Sequence, residues 1–427
     1  MTLTTPAARL PLIWGLTTLL GLLLRLGYLA WLGPEALLDG DAGAYTAAAT
    51  ALLAGEAYAA YWPPGLPYLL AGAAWLLTAP AGYFAVGLAG YLAMAALLAQ
   101  IVRDARSAWA TGLVLAVYPT LLHHSIAPLS QVPVAAGVLG LLLLTARQIP
   151  HRLLAAGLLL GLMALVRPAT LVLPGALALW LLAGGQRRYL YLALLLLGCA
   201  LPVAGWQVHM RASGAFINYA NARNLYLGNH PQTPHYRTWW LGSHDVAGDP
   251  AFADFVREQE ALLQQPVAAR DRAYRALAQA HIAAAPATFV RRSLNRFRCF
   301  WAFDSFAGAF VYAHAPRAGL VLVALDGLIY VSLGWLALLT LLRQPLRAHL
   351  RELLLLGGLA LPYVLAFAHP TYHLPAVGIL LVLAATTIRQ ATRWHDLLPR
   401  SPREVLILLA FAAIQAEWVW QRWGDVG

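Results

Sequence analysis

Apolar residues along this chain come in near-continuous runs about 20 long, the length a helix needs to cross the hydrocarbon of a bilayer. The first run, Leu10 to Leu32, follows Arg9. It is too long for the core of a secretory signal and lacks a small-x-small cleavage site, so it reads as a retained first helix entering from the cytoplasm. Further spans fall at about 82 to 102, 108 to 123, 130 to 146, 152 to 166, 168 to 184, 189 to 208, 318 to 342, 352 to 368, 373 to 389 and 404 to 421. Backbone groups in hydrocarbon must find partners within the protein, so the expected fold is all-α, a polytopic integral membrane protein of about 11 transmembrane helices.

Arginines set the expected orientation, because positive residues beside short loops resist translocation. Arg103/Arg106, Arg147/Arg152, Arg187/Arg188, Arg343/Arg347/Arg351 and Arg389/Arg393/Arg400/Arg403 follow every second span, whereas the connections Gly33 to Gly82, His123 to Pro128 and His369 to Pro375 contain no Arg. The amino terminus is therefore expected inside a plasma (inner) membrane, and these three loops outside with the carboxyl terminus. Three regions result: 1–210, an N-terminal transmembrane module with the first external loop at 33–82; 211–317, a long external segment; and 318–427, the C-terminal transmembrane helices.

Of 427 residues, 60% are apolar and 11% charged, against roughly 25% charged in a soluble domain. All 29 basic residues are Arg, and a chain without Lys has no Schiff-base or P-loop lysine chemistry. The formal charge of +11 is read as membrane orientation and an external basic segment, with a membrane partner expected and no nucleic acid. Cys199 and Cys299 offer neither a disulfide framework nor zinc-ligand spacing.

Within the long segment, Asp249-Pro250 reads as a helix N-cap followed by Pro at the first helical position, with the helix running to about Leu263. Ala268 to Ala284 is a second helical stretch. Pro286 opens a third, in which Phe289, Val290, Leu294, Phe297, Phe300 and Trp301 alternate with Arg291, Arg292, Arg296 and Arg298, a pattern suited to a helix at the membrane surface. No repeat of 20 to 50 residues and no two-halves transporter symmetry is found.

Candidate chemistry concentrates in the first external loop: Asp39-Gly-Asp41-Ala-Gly-Ala-Tyr45, a helix to Ala54, then Tyr58 and Tyr61-Trp62-Pro63-Pro64-Gly65-Leu66-Pro67. A carboxylate at the edge of a low-dielectric region can take a proton from an acceptor hydroxyl or amine. Other readings of the same residues are open: Asp41 caps the helix near Tyr45, an Asp pairs with Arg25, or Asp39 and Asp41 hold a divalent cation as a D-x-D pair. No cofactor and no metal ligand is assigned.

The Asp41-x-x-x-Tyr45 pattern, the Ala49 to Gly55 helix and the Pro63 to Ala71 segment together resemble the GT-C superfamily of lipid-linked sugar transferases. Within it they are most similar to the branch of protein O-mannosyltransferases and lipid A aminoarabinose transferases. Weaker matches follow in order: Arg167-Pro168, Asn224 to Asn229, the Pro286 helix ending in Phe300-Trp301, and Tyr372 to Pro375. The resemblance implies a polyprenyl-phosphate-sugar donor in the outer leaflet, an external cavity and an acidic base, a role that falls on Asp41. Asp39, Tyr45, Tyr61, Asn229, Tyr372, His369 and His373 are carried as substrate-binding candidates. Two departures stand out: Ser130-Gln131-Val-Pro133 where relatives often have an acid, and Thr371-Tyr372-His373-Leu374-Pro375 where they often have arginines.

A leaving lipid phosphate wants cationic donors, and the planar fork of Arg can hold two of its oxygens. Candidates are Arg25, Arg167, Arg291, Arg292, Arg296 and Arg298. Arg25 and Arg167 are the most costly to place, at roughly 2.5–3.5 kcal/mol for a charge at a helix centre, which makes each a functional candidate, although Arg167 at a turn can also snorkel. His369 and His373 are alternative donors, and the aromatic residues form either a sugar platform or an interfacial belt. The sequence-level reading is a glycosyltransferase with an unidentified acceptor. A transporter or flippase of lipid-linked sugars is the main rival, and a non-catalytic scaffold binding a partner protein through the long segment is a third class.

Overall fold

The computed structural model describes residues 6–184, 187–211 and 216–423; positions 1–5 and 424–427 of the terminal regions and 212–215 of the long segment lie outside the described residues. The chain starts with α1 (Pro6–Leu32), α2 (Gly40–Leu53), α3 (Gly65–Leu77), α4 (Ala81–Ile101), α5 (Ala105–Val117), α6 (Pro119–His124), α7 (Gln131–Thr145), α8 (Pro150–Val166), α9 (Leu173–Leu182) and α10 (Arg188–Met210). The long segment carries α11 (Ala220–Asn229), α12 (Trp240–Ser243), α13 (Ala253–Leu263), α14 (Val267–Ala284) and α15 (Pro286–Phe300). Then follow α16 (Phe306–Tyr312), α17 (Pro316–Arg343), α18 (Leu350–Leu365), α19 (Val377–Gln390) and α20 (Pro402–Trp423). No strand occurs among the described residues, and the fold is that of an all-α membrane protein.

Among the described residues, seven helical segments are long and apolar enough to cross a bilayer: Arg9–Leu32, Ala81–Ile101, Arg188–Met210, Pro316–Arg343, Leu346–Leu365, Pro370–Gln390 and Pro402–Gln421. The other apolar helices, including those at the expected spans 108–123, 130–146, 152–166 and 168–184, have only 10–17 residues. At about 1.5 Å per residue these fall short of a 30 Å hydrocarbon core. One of them, α3, lies in the stretch read as loop. The membrane belt is visible as exposed apolar side chains on the outer helices, among them Leu23 of α1, Trp75 of α3, Leu328 of α17 and Trp420 of α20.

Glycine lets the backbones close where the site is built. In Gly157-Leu-Leu-Leu-Gly161 of α8, an added Cβ would lie 2.2 Å from the Leu195 carbonyl oxygen at the first glycine and 2.5 Å from that of Cys199 at the second, so α8 and α10 touch backbone to backbone. At the first turn of α3, a Cβ on Gly65 would meet the Val166 nitrogen at 2.7 Å. That contact seats the Trp62-Pro63 turn against the end of α8.

The break between α5 and α6 accounts for Arg25. Pro119 has no N–H to offer the Leu115 carbonyl, and the Thr120 N–H, which would serve Ala116, donates instead to Asp326 Oδ1 at 2.8 Å. Arg25 fills both vacancies, donating from Nη2 to Leu115 O at 3.1 Å and from Nη1 to Ala116 O at 3.1 Å, with Nε on Ser125 Oγ at 2.6 Å. Its guanidinium also lies over the Tyr91 ring, 3.6 Å from the centroid. Arg25 is fully buried, and no acid pairs with it among the described residues. Arg25→Met strands two buried carbonyls, at about 1–3 kcal/mol each. We expect a lower melting temperature and less monodisperse protein on size-exclusion chromatography.

Candidate functional site

Turns from separate elements meet around a cavity of about 490 Å³. Its lining includes Asp41 and Tyr45 from α2, Trp62 before α3, Ser130 and Gln131 at the start of α7, and Arg167 between α8 and the 3-10 turn Pro168–Val172. The other side is formed by Asn224 of α11, Asp271 and Arg275 of α14, Tyr363 of α18 and Tyr372 of the 3-10 turn Pro370–Ala376. This size is that of a small-molecule site, and the wall is rich in polar and charged groups.

Asp39, not Asp41, caps α2: its Oδ1 accepts the Gly40 N–H at 2.7 Å. The carboxylate of Asp41, one position into the helix, is left facing the cavity. Four residues on, the same helical face presents Tyr45, buried and braced on Trp62 at 5.1 Å between ring centroids. Asp41 is exposed at the cavity, yet protein close around it removes part of its hydration and pushes its carboxyl above the ordinary aspartate range, while the charges of Arg167 and Arg223 pull in the opposite direction. Burial next to Asp41 pushes the Tyr45 phenol up as well, so it stays protonated as a donor.

Arg167 is held differently from the other buried arginines. Its Nε donates to the Tyr363 hydroxyl and its Nη1 to Ser130 Oγ at 3.2 Å. Tyr363 and Tyr372 stack at 4.6 Å, and the guanidinium lies 5.4 and 5.2 Å from their centroids. Neither a backbone carbonyl nor a carboxylate engages it among the described residues. By contrast Arg296 donates to Leu365 O at 2.9 Å and to Gly228 O, the ends of α18 and α11. Arg292 serves His230 O at 2.9 Å and Pro231 O at 3.2 Å, the half-buried Arg351 serves Leu142 O of α7 at 3.0 Å, and the exposed Arg106 serves the end of α19. These arginines satisfy carbonyls at helix ends and, for Arg292, in the turn after α11, whereas the charge of Arg167 is left for the cavity.

The structure thus brings together Asp41, Tyr45, Arg167 and Tyr372 and places the remaining candidates elsewhere. Arg25 lies at the α5–α6 break, and Arg292 and Arg296 are buried under α15 with their donors committed to carbonyls. The Asn229 amide donates to Leu225 O at 2.9 Å and accepts from Arg296 at 3.0 Å. Tyr61 packs edge-on against Trp62 at 5.2 Å, outside the lining. His369 accepts the Thr371 N–H at the start of its turn, and His373 is buried, with Nδ1 at 3.0 Å from Phe300 O and its ring stacked on Tyr330 at 4.3 Å. Arg291 and Arg298 edge a separate polar cleft with Glu417. No group of three or more His, Cys, Asp or Glu is arranged to hold a metal ion among the described residues.

The lining also holds residues that the sequence reading passed over: Tyr363, Asn224, Asp271 and Arg275. Asn224 and Asn229 opened and closed the same quoted motif, and five helical residues place them on different faces, so only the first reaches the cavity. Asp271 and Arg275 have the spacing of an ordinary solvated i,i+4 pair, and nothing one-dimensional marks Tyr363. No protein-family model, curated protein or solved structure matches the chain.

Proposed function

We propose that this protein is a membrane glycosyltransferase that moves a sugar from a polyprenyl-phosphate-linked donor to an acceptor on the external face of the plasma membrane. The observation that carries the reading is the pairing, across one cavity, of the Asp41 carboxylate with an arginine whose charge no acid or helix end consumes. Asp41 takes the proton of the acceptor hydroxyl as its oxygen bonds to the anomeric carbon. The bond from that carbon to the lipid phosphate breaks, the phosphate leaves with the electron pair, and Arg167 with the tyrosine hydroxyls receives the charge. A single displacement of this kind inverts the anomeric centre.

The test is the full chain in proteoliposomes with labelled polyprenyl-phosphate sugars and envelope lipids as acceptors. Labelled product or free sugar from transfer to water supports the reading. Movement of intact donor between leaflets with no loss of the sugar bond would instead support a flippase.

A further inference from the structure

The helix α15 carries two stripes side by side. Val290, Leu294 and Phe297 are exposed and recur at i, i+4 and i+7, and one residue on, Arg291, Asn295 and Arg298 repeat the same spacing. The polar stripe forms one wall of a cleft of about 360 Å³ that is separate from the Asp41 cavity. The turn after α11 supplies His235 and Arg237 to this cleft, and α20 supplies Glu417 and Gln421. Gln421 is the last residue of the apolar span Pro402–Gln421, and Val419 and Trp420 just before it are exposed. The cleft therefore stands where a membrane span ends, at the depth of lipid headgroups.

Charge identifies what fits there. Arg298 meets Glu417, with Nε 2.9 Å from Oε2, and its Nη2 donates to Asn295 Oδ1 at 2.7 Å. The Asn295 amide donates in turn to His235 O at 2.8 Å, which ties the α11 turn to α15. With Glu417 matched, the cleft keeps the charge of Arg291, which is exposed and which no carboxylate or carbonyl engages among the described residues. An arginine fork suits the two free oxygens of a phosphodiester, and the amide of Gln421 can donate to a headgroup oxygen. A soluble anion would leave the neighbouring apolar stripe uncovered, whereas the chains of a lipid would cover it. We propose that this cleft binds the headgroup of an anionic phospholipid, whose acyl chains lie along Val290, Leu294 and Phe297. The site is independent of the chemistry at Asp41.

Native mass spectrometry of the full chain in detergent, titrated with dioleoyl phosphatidylglycerol or dioleoyl phosphatidylcholine, reads the first lipid bound. The anionic lipid is expected to bind about tenfold more tightly, as one charge-assisted hydrogen-bonded contact allows. Arg291→Gln should bring that preference to within about threefold, and the variant should fold, because the Arg291 side chain is exposed and holds no other element. Arg272→Gln, which removes an exposed arginine of α14 outside the cleft, should leave the preference intact. Arg167→Gln should leave it intact as well, which separates this lipid from one in the Asp41 cavity. Excess glycerophosphate, a headgroup without chains, should not displace the bound lipid. Equal binding of the two lipids overturns the proposal. Equal losses in Arg291→Gln and Arg272→Gln also overturn it, since they would mark the roughly fivefold attraction of any basic residue near an anionic surface. So does loss of the preference in Arg167→Gln, which would put the lipid in the other cavity, or displacement by glycerophosphate, which would make the cleft a soluble-anion site.

Discussion

Asp41→Asn is expected to abolish sugar transfer in proteoliposomes while the protein still folds and still binds polyprenyl phosphate. The substitution keeps the size of the side chain but removes its ability to accept a proton, and loss of a general base costs about 10²–10⁴-fold in rate. Folding should survive because the cap of α2 is supplied by Asp39 and the Asp41 side chain makes no structural hydrogen bond among the described residues. Asp39→Ala is the informative contrast: it removes the cap at about 0.5–2 kcal/mol and should lower thermal stability with little change in the chemical step. Transfer by Asp41→Asn at a rate within threefold of the parent would remove Asp41 from the mechanism.

Arg167→Gln should fail in two separable ways. Affinity for polyprenyl phosphate should drop by about 10–100-fold, the value of a charge-assisted hydrogen bond to phosphate. Arg167→Lys should restore only part of it, because the point charge lacks the fork and the stacking on Tyr363 and Tyr372. The pH profile supplies the second readout. Asp41 acts as a base only when ionised, so transfer is lost as pH falls through its pKa, which the surrounding protein has already raised. Arg167 opposes that rise, and its removal lets the pKa climb, so the acid limb of kcat/KM should move to higher pH. Reduced affinity with an unmoved acid limb would separate Arg167 from Asp41 and refute their electrostatic coupling.

The membrane class was legible because a bilayer imposes a length that composition reveals directly. Helix limits were less so. Whether a run such as 108–123 becomes one helix or two depends on Pro119 together with a remote side chain, Asp326, that draws off the Thr120 N–H. The site was legible in part for the same reason. Arg25, Arg167, Arg292 and Arg296 look alike in one dimension, each a charge near apolar residues. What separates them is where broken helices leave unpaired carbonyls, and that is known only once α5, α11 and α18 have ended. Asp41 and Tyr45 were easier, since four residues on one short helix must share a face. Gln131 was visible only as a missing acid. Its burial, with Oε1 left without a hydrogen-bond partner among the described residues, is a property of packing.

The helix α15 turns Arg292 and Arg296 inward and leaves Val290, Leu294 and Phe297 exposed. Its polar side is bonded to carbonyls at Gly228 and Leu365, and Cys299 to the carbonyl of Ala368. A fragment cut at the boundaries that composition suggests, 211 and 317, would strip Arg296 of its Leu365 carbonyl and Cys299 of its Ala368 carbonyl and show a greasy stripe to water. Such a fragment should aggregate as a free-standing antigen or crystallisation target. In the whole protein, the detergent collar should extend over this helix, and engineering of the cavity wall supplied by α11 and α14 will have to be done in the intact chain.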